Sequence, residues 1–337
     1  MLGQAVNLDE KCGHMHLLVT GGAGFIGSNF VRYWLANHPE DKVTNLDALT
    51  YAGNPRNLDG IDGTRHTFIH GDIRDVATVE RAMDGVEMVV HFAAESHVDR
   101  SIDGARIFLE TNVLGTHTLL EEVRRRGEQI KRFHHISTDE VFGTLNINST
   151  EKFHEDTPYD PRSPYSASKA ASDHIVRSYF HTHGLPVTIS NCSNNYGPYH
   201  FPEKLIPLMI VNAMRDIPLP VYGDGMNIRD WIHVEDHCAG IEAVLSNGKI
   251  GETYCLGGNA ERHNIDVVKQ ILELTGKPES LIKYVEDRKG HDRRYAIDSS
   301  KAKKELGWVP KKTFEQGLKE TVEWYKNNEN WWKPLVK

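Results

Sequence analysis

The sequence predicts an α/β protein in which a doubly wound parallel sheet carries a smaller, partly interleaved C-terminal α/β lobe. Two observations lead to this prediction. As far as Asn191, short runs rich in β-branched residues alternate with longer amphipathic stretches, which indicates a parallel sheet covered by helices on both faces. Near-continuous apolar cores such as Leu17-Leu18-Val19 and Met88-Val89-Val90 are typical of strands buried on both sides.

Each element follows from this alternation, in chain order. Strands are predicted where apolar and β-branched residues run together, at His16–Thr20, Lys42–Leu46, Thr67–His70, Glu87–Phe92, Arg132–Ser137 and Val187–Asn191. Helices are predicted for the amphipathic stretches, at Phe25–Asn37, Val76–Met83, Ile107–Arg126 and Tyr165–His183. Beyond Asn191 the alternation ends, and three further helices are predicted between irregular segments, at Glu235–Leu245, Ile265–Leu274 and Thr313–Tyr325.

The turn after the first strand has the pattern of a dinucleotide-binding site. Gly21, Gly24 and Gly27 allow a tight turn, a close approach to a pyrophosphate and close packing of helix on strand. Phosphates would then bind at the helix N-terminus. Asp47 ends the second strand about 20 residues later, where a carboxylate accepts hydrogen bonds from the ribose and repels a 2′-phosphate. The pattern predicts NAD as the cofactor, and the alternative for Asp47 is a residue that caps its turn.

Further cofactor contacts are predicted at the carboxyl ends of the third and fourth strands, where open α/β sheets bind ligands. Asp72 has two equally weighted interpretations, a contact to the adenine or the N-cap of the helix at Val76–Met83. Ala93, Ala94 and Ser96 follow the fourth strand, and their small side chains let a dinucleotide lie close.

This pattern predicts a Rossmann-type NAD-binding domain formed by residues 14–191 with about 230–256. The smaller lobe comprises about 192–229 and 257–337, and residues 1–13 form an N-terminal extension to which no structural role is assigned. No repeat, low-complexity tract or flexible linker separates the two parts. We therefore expect them to pack closely with a ligand between them.

Composition excludes several classes of protein. The 337-residue chain has a net charge of −8, which argues against nucleic acid as the partner. Mean hydropathy is −0.49, and no apolar run approaches the roughly 18 residues of a membrane span. The N-terminus lacks the regions of a signal peptide, and no HxxxH or similar histidine pair comes with a further ligand at metal spacing. A cytoplasmic location and buried free thiols are expected, because no CxxC motif links Cys12, Cys192, Cys238 and Cys255.

Two segments carry the chemistry. Tyr165 and Lys169 lie four residues apart and therefore on one face of a helix. A phenolate held beside a cation can take the proton of an alcohol while hydride leaves the same carbon. Thr138, Asp139 and Glu140 follow the fifth strand, and two adjacent carboxyl groups can remove a carbon proton and protonate a departing hydroxyl. Oxidation alone does not need the second segment, whereas elimination does.

Both segments have ordinary alternatives when each is taken alone. An isolated Asp-Glu pair is usually a solvated turn, and a lone Tyr-xxx-Lys on a helix is usually exposed. Their joint positions, one after a strand end and the other opening the next long helix, favour the catalytic interpretation.

Several long motifs extend this pattern over essentially the whole chain. The glycine spacing and the Tyr165-xxx-Lys169 pair resemble the extended short-chain dehydrogenase/reductase superfamily. Within it, Ser137-Thr-Asp-Glu-Val-Phe-Gly143 resembles the signature of the nucleotide-sugar 4,6-dehydratases. The stretches that begin at Ala94, Asn194 and Asp287 are also similar to that family. The departures are Phe142, where tyrosine is common, and the N-terminal extension.

The resemblance implies a role for each matching position. Tyr165 deprotonates the 4-hydroxyl of the sugar, aligned by Thr138, while hydride passes to NAD. Glu140 then removes the C5 proton, and protonated Asp139 releases the 6-hydroxyl as water. Hydride then returns to C6 and a proton to C5. Further cofactor contacts are implied at Phe25, Ile26, Thr50, Ile73, Thr111 and Asn195. Sugar-nucleotide contacts are implied at His97, Thr138, Asn194, Lys204, Leu205, Pro220, Tyr222, Arg229, Asn264, Arg288, His291 and Tyr295.

The resemblance also implies dTDP-glucose as the substrate, tightly bound NAD recycled in each turnover, and a homodimer formed through the helices at Ile107–Arg126 and Tyr165–His183. Alternatives remain open at this point. A nucleotide-sugar 4-epimerase needs Tyr165 and Lys169 but not the two acids. A decarboxylase that acts on a sugar acid has no leaving 6-hydroxyl to protonate. An inactive NAD-binding regulator would be expected to have lost the tyrosine–lysine pair. UDP-, CDP- or GDP-linked sugars are alternative substrates, and Arg229 with Asp230 could instead form a surface ion pair.

Overall fold

A computed structural model describes residues 14–288 and 290–336 of the chain. The strands are β1 His16–Thr20, β2 Lys42–Asp47, β3 His66–His70, β4 Met88–His91, β5 Arg132–Thr138, β6 Val187–Cys192, β7 Asn194–Tyr196, β8 Leu219–Tyr222, β9 Ile228–His233, β10 Thr253–Leu256, β11 Glu261–His263 and β12 Ile282–Val285. The helices are α1 Phe25–Asn37, α2 Val76–Ala82, α3 Val98–Asp103, α4 Ala105–Phe108, α5 Thr116–Arg126, α6 Pro164–His183, α7 Leu205–Met214, α8 Val234–Asn247, α9 Asn264–Thr275, α10 Ser300–Leu306, α11 Phe314–Asn327 and α12 Glu329–Trp332.

Seven parallel strands form the main sheet in the order β10-β6-β5-β4-β1-β2-β3. Two apolar clusters cover its opposite faces. The first cluster joins the sheet to α1 and α8 and includes Val19, Phe30 and Trp34. The second joins the sheet to α2, α5 and α6 and includes Leu18, Leu119 and Val176. The predicted doubly wound sheet is therefore confirmed, and the strand order reverses between β1 and β4, where such sheets bind ligands.

The smaller lobe contains a three-stranded sheet in the order β11-β9-β7 and a two-stranded sheet of β12 and β8. Its own apolar core joins helices α7, α9 and α11. The chain crosses between the two parts repeatedly, because α8 packs on α1, β10 completes the main sheet, and α10 packs on α8. The partly interleaved lobe is confirmed, while the proposed division of residues into domains stays a prediction.

The sequence-based boundaries differ from the structure in one long element. The helix predicted at Ile107–Arg126 is interrupted by a π-helical segment at Leu109–Gly115. Asn112 in this segment is buried, and its side chain forms hydrogen bonds with both the backbone amide and the backbone carbonyl of Glu95. Gly115 lies so close to Ile73 that a Cβ on it would be 2.5 Å from Ile73 Cδ1. These close contacts coincide with the widened turn, a form that is frequent at functional sites.

Other elements have no counterpart in the sequence-based prediction. They are α3, α7, α10, α12, the short strands of the lobe and β10, most of them only three or four residues long. The predicted N-terminal extension at 1–13, with Cys12, lies outside the described residues. In the part of the chain that the structure describes, no helix is long and apolar enough to cross a membrane.

Candidate active site

Tyr165 and Lys169 lie on the first two turns of α6, which the sequence starts strongly. Ser163 caps the helix in a reciprocal capping box with Ser166, and Pro164 occupies the first position. Both Tyr165 and Lys169 are buried and line one large cavity at the carboxyl edge of the main sheet. The exposed-pair interpretation of this motif is therefore wrong.

The Lys169 ammonium group donates a hydrogen bond of 2.8 Å to the carbonyl of Ile136 on β5. Burial lowers the pKa of Lys169 to about 8. Burial and the neighbouring Glu140 carboxylate raise the pKa of the Tyr165 phenol, and a hydrogen bond with Thr138 opposes this shift. A phenolate at Tyr165 therefore requires positive charge nearby, for which Lys169 is the group that the chain supplies.

Thr138 ends β5, and the chain then turns through the short 3₁₀ segment Asp139–Phe142. The Thr138 hydroxyl accepts a hydrogen bond of 3.3 Å from the amide of Glu140, which fixes the turn. Asp139 is 1% exposed, and its Oδ2 has no protein partner. The turn is thus buried, and the solvated-turn interpretation of the Asp-Glu pair is wrong. Phe142 packs on Phe153, with ring centroids 5.2 Å apart.

The two carboxyl groups have different surroundings. Burial, followed by the charges of Glu140 and Asp230, raises the pKa of Asp139 well above its ordinary value. Burial also raises the pKa of Glu140, but Lys204 and Arg229 oppose it. Because two acids with separated pKa values can divide the roles of acid and base, Asp139 fits a proton donor and Glu140 a proton acceptor.

The ionisation of Asp139 has a consequence for stability. The folded state keeps a proton that the unfolded chain releases above a pKa of about 4. Stability is therefore lost as pH rises, by up to about 1.4 kcal/mol per pH unit, until pH passes the raised pKa of the folded state. Asp139→Asn removes this loss, so its free energy of unfolding relative to wild type should increase from pH 5 to pH 7. Urea unfolding measures this difference, with the exposed Asp216→Asn as control. A difference that is independent of pH would contradict a protonated Asp139.

The glycine-rich turn after β1 has the shape of a phosphate cradle. Gly21 has φ +74°, and a Cβ there would lie 2.7 Å from the amide nitrogen of Ala93. A Cβ on Gly27 would lie 2.3 Å from the Gly21 carbonyl oxygen. Gly24 is the N-cap residue of α1, and no side chain accepts a hydrogen bond from the first amides of the helix there. The close approach allowed by the glycines and the free amides of α1 fit a bound pyrophosphate.

The two aspartates predicted to contact the adenosine have defined partners. Asp47 is buried and accepts hydrogen bonds from the amides of Ala23, at 2.9 Å, and Leu49, at 2.8 Å. It therefore does stabilise the turn, and its contact to the ribose stays a prediction. Asp72 pairs with Arg74 at 2.6 Å, whereas Asp75 is the N-cap of α2. The N-cap interpretation of Asp72 is therefore wrong.

All predicted site residues line the same cavity, which has a volume of about 490 Å³. Asn195 is fixed there by hydrogen bonds of 2.9 Å with His237 and 3.0 Å to the Ser193 carbonyl. Near the cofactor end are Phe25, Ile26, Thr50, Ile73, Ala93, Ala94, Ser96 and Thr111. Their individual contacts to a cofactor stay predictions.

The opposite end of the cavity is rich in cations. Arg229 lies over the ring of Tyr295 at 4.2 Å and donates to the Asp292 carbonyl at 2.9 Å. Asp230 is also buried and accepts from Ala260, so the surface ion pair of Arg229 with Asp230 is wrong. Lys204 donates to the Ser96 carbonyl at 2.9 Å, and Arg288 donates to Asp99 Oδ2 at 3.1 Å.

The other predicted sugar-nucleotide contacts surround these cations. Asn194 and Asn264 each have a buried side-chain oxygen without a protein partner, which leaves an acceptor for a ligand. Also lining this end are His97, Leu205, Pro220, Tyr222 and His291.

The sequence analysis missed several residues of the cavity wall. Cys192 and Ser193 lie at the carboxyl end of β6, next to β5. The rule that ligands bind at this edge could have identified them. Met209 and Trp231 also line the cavity but come from the lobe, where the sequence has no comparable pattern.

Known proteins share this architecture and sequence. Residues 18–321 match the sequence model of the GDP-mannose 4,6 dehydratase family. A curated dTDP-glucose 4,6-dehydratase of Xanthomonas campestris pv. campestris (strain B100) is 57% identical over 333 residues, covering 93% of this chain and 94% of that protein.

Two solved structures are also similar. The dTDP-glucose 4,6-dehydratase of Bacillus anthracis in complex with NAD has a TM-score of 0.89 and 52% identity, covering 96% of this chain and 100% of that chain. DesIV, the dTDP-glucose 4,6-dehydratase of Streptomyces venezuelae with NAD and TYD bound, has a TM-score of 0.92 and 50% identity over the same shares. The chain therefore belongs to the nucleotide-sugar 4,6-dehydratases of the NAD-dependent epimerase/dehydratase family, as its motifs predicted.

Proposed function

We propose that this protein catalyses the 4,6-dehydration of dTDP-glucose, giving dTDP-4-keto-6-deoxyglucose and water. The observation that carries this proposal is the presence of two carboxyl groups, the buried Asp139 and the half-buried Glu140, in the same cavity as Tyr165 and Lys169. Oxidation of an alcohol requires only the second pair, whereas elimination of water requires a base and an acid as well. The relatives with this activity are similar over nearly the whole chain.

NAD is the cofactor, and when bound it would take the C4 hydrogen as hydride and supply the hydride that returns to C6. Gly21, Gly24 and Gly27 would hold its pyrophosphate, and Asp47 would accept hydrogen bonds from its adenosine ribose. The protein needs no external oxidant, because the redox change is reversed within one turnover.

The chain's own residues move the protons. Tyr165 takes the proton of the 4-hydroxyl, and Thr138 aligns that hydroxyl. Glu140 removes the C5 proton, which the new 4-ketone has made acidic. Asp139, kept protonated by burial, donates to the 6-hydroxyl as it leaves as water. A proton then returns to C5 as hydride reaches C6, which gives the 4-keto-6-deoxy sugar.

The diphosphate of the substrate needs cations. Lys204, Arg229 and Arg288 all line the cavity and belong to the smaller lobe. Arginine forks and lysine ammonium groups are strong partners for phosphate oxygens. Arg288 is held by Asp99 and Arg229 by backbone carbonyls, so both guanidinium groups are fixed before substrate binds.

The alternative functions account for fewer of these features. A 4-epimerase uses Tyr165 and Lys169 but leaves the buried Asp139 without a role. A decarboxylase does not protonate a leaving 6-hydroxyl. An inactive regulator explains neither the tyrosine–lysine pair nor the raised pKa values of the two acids.

Incubation with separate glucose nucleotides tests the proposal. We expect dTDP-glucose to lose water, detected by mass spectrometry as an 18 Da decrease (one water), without net consumption of NAD. UDP-, CDP- and GDP-glucose are the matched controls and should react much more slowly. Epimerised dTDP-galactose without loss of mass, or preference for another base, would contradict the proposal.

We also propose a homodimer that buries the surface formed by the π-helical segment, α5 and α6. Leu109 and Leu114 on this surface are 51% and 57% exposed, and Ile102 and Ile107, on α3 and α4, are also exposed apolar side chains. Exposed large apolar side chains within one short stretch of chain support a protein interface. The amphipathic character of the same helices is visible in the sequence.

Leu114→Glu with Leu109→Glu should convert the dimer into monomers, because each introduced carboxylate would be buried without a partner at the interface. Light scattering after size-exclusion chromatography measures the mass. Val76→Glu, at an exposed apolar residue of α2, is the control. A monomeric wild type, or dimeric double variant, would contradict this interface.

A cytoplasmic location is proposed as well, supported by three buried free cysteines among the described residues.

A further inference from the structure

Asp173 and His135 form a buried pair behind Lys169 that the proposed chemistry does not use. Asp173 follows Lys169 by one further helical step of four residues, so that Tyr165, Lys169 and Asp173 share one face of α6. His135 lies on β5 beneath this face. The side chains of His135 and Asp173 are both 0% exposed.

One nitrogen of His135 connects the other two side chains. Nε2 is 3.3 Å from Lys169 Nζ and 3.2 Å from Asp173 Oδ1. It can accept a hydrogen bond from the ammonium group in one tautomer and donate one to the carboxylate in the other. The two charged groups do not contact each other directly, and the imidazole lies between them and can bond to one or the other, according to its tautomer.

The remaining contacts of Asp173 keep it ionised. Its Oδ2 accepts hydrogen bonds from Ser137 at 2.7 Å and from the Tyr159 hydroxyl at 2.8 Å. Burial acts to raise the pKa of Asp173, but the hydrogen bond with His135 and the charge of Lys169 outweigh it, and the pKa is lowered. A buried carboxylate that accepts several hydrogen bonds is stabilised in its charged form.

This carboxylate acts on Lys169. Burial lowers the pKa of Lys169 to about 8, and the charge of Asp173 is the largest influence that opposes the decrease. Other titratable groups near the pair are Asp139, Glu140, Tyr165 and Cys192 in the cavity, His91 at a ring distance of 5.2 Å from His135, and Arg177, which donates to Tyr159. Burial, followed by the charges of Glu140 and Asp139, raises the pKa of the Tyr165 phenol.

We propose that Asp173 and His135 are positioning residues that hold Lys169 in place as an ammonium ion, and thereby control the ionisation of Tyr165 from behind the active site. The proposal rests on the role of Tyr165 as base in the proposed function. It adds a function for two residues that do not line the cavity.

The test is the pH dependence of C4 oxidation in holoenzyme carrying Asp173→Asn. Without the carboxylate, Lys169 loses its proton at lower pH and no longer favours the Tyr165 phenolate. Single-turnover formation of reduced nicotinamide with dTDP-glucose should be about tenfold slower near pH 7, which corresponds to a shift of about one pKa unit. The rate should approach wild type at higher pH.

Three further variants sharpen the result. Asp173→Glu keeps the charge, so it should have the wild-type pH profile of C4 oxidation. His135→Gln keeps the carboxylate but removes the imidazole. It should therefore shift the pH profile in the same direction as Asp173→Asn. Asp216→Asn removes an exposed carboxylate paired with Lys277 and should change nothing. A uniform loss of rate at every pH, or an unchanged profile in both Asp173→Asn and His135→Gln, would show a purely structural role and overturn the proposal.

The test can be separated from the substrate assignment. The Tyr165 phenolate can also be titrated by ultraviolet difference absorbance in the NAD-bound protein, with Tyr165→Phe subtracted. The Asp173→Asn holoenzyme should then show about tenfold less phenolate at a given pH below the midpoint. This shift without any dehydration of dTDP-glucose would support the pair while contradicting the proposed function.

Discussion

Replacing both Asp139 with asparagine and Glu140 with glutamine should abolish the release of water while leaving slow oxidation of C4. The reason is that Tyr165 and Lys169 remain intact, whereas neither amide can remove the C5 proton or protonate the 6-hydroxyl. We expect dehydration to fall by about 10⁴-fold or more, since each proton transfer typically contributes 10²-fold to 10⁴-fold. Reduced nicotinamide should accumulate in single turnovers with dTDP-glucose, because elimination no longer follows oxidation.

A matched pair of exposed acids controls for the removal of two charges. Asp216 and Glu279 form exposed ion pairs with Lys277 and Lys269, and Asp216→Asn with Glu279→Gln should dehydrate at the wild-type rate. Mass spectrometry of the product and absorbance of the cofactor separate the two half-reactions. Dehydration by the Asp139→Asn, Glu140→Gln protein at an undiminished rate would remove the roles assigned to these acids.

Tyr165→Phe should lower the rate of C4 oxidation by about 10³-fold, which lies within the usual contribution of a general base. The phenyl ring fills the same buried space, so binding of NAD and dTDP-glucose should change little. Stopped-flow absorbance of the reduced cofactor measures the step. Tyr284→Phe, at a tyrosine that is 57% exposed, is the control.

The two variants are expected to fail at different points. Tyr165→Phe should show neither reduced cofactor nor product, whereas the double acid variant should show reduced cofactor without product. A near-normal rate of C4 oxidation in Tyr165→Phe would mean that another base operates.

The main sheet was predictable because its strands are buried on both sides. A strand that is buried on both sides can be apolar at every position, as in Leu17-Leu18-Val19, and such a run is easy to recognise. The bounds of β1 and α1 are those predicted. The strands β7 and β11 have three residues each. A strand of three residues is too short to show an apolar pattern in the sequence. Both β7 and β11 are strands because they pair with their neighbour β9.

The candidate site was predictable where side chains have distinctive spacing. Tyr165, Lys169 and the acids after β5 line the predicted edge of the sheet together. The cap of α2 could have been predicted correctly, because Asp75 directly precedes the predicted start at Val76 whereas Asp72 lies four residues before it. The role of Asp99 as the partner of Arg288, by contrast, was hidden, since 189 positions separate them in the chain.

The interleaving of the chain has a consequence for synthesis. Strand β10 pairs with β6 at the border of the main sheet, although the segments from β7 to β9 lie between them in sequence. During translation, β6 therefore emerges with one side unpaired and must wait for some sixty further residues to leave the ribosome. Until then the nascent chain presents an open row of amides and carbonyls to other chains, so a message stalled before codon 253 should yield a fragment that aggregates or recruits chaperones.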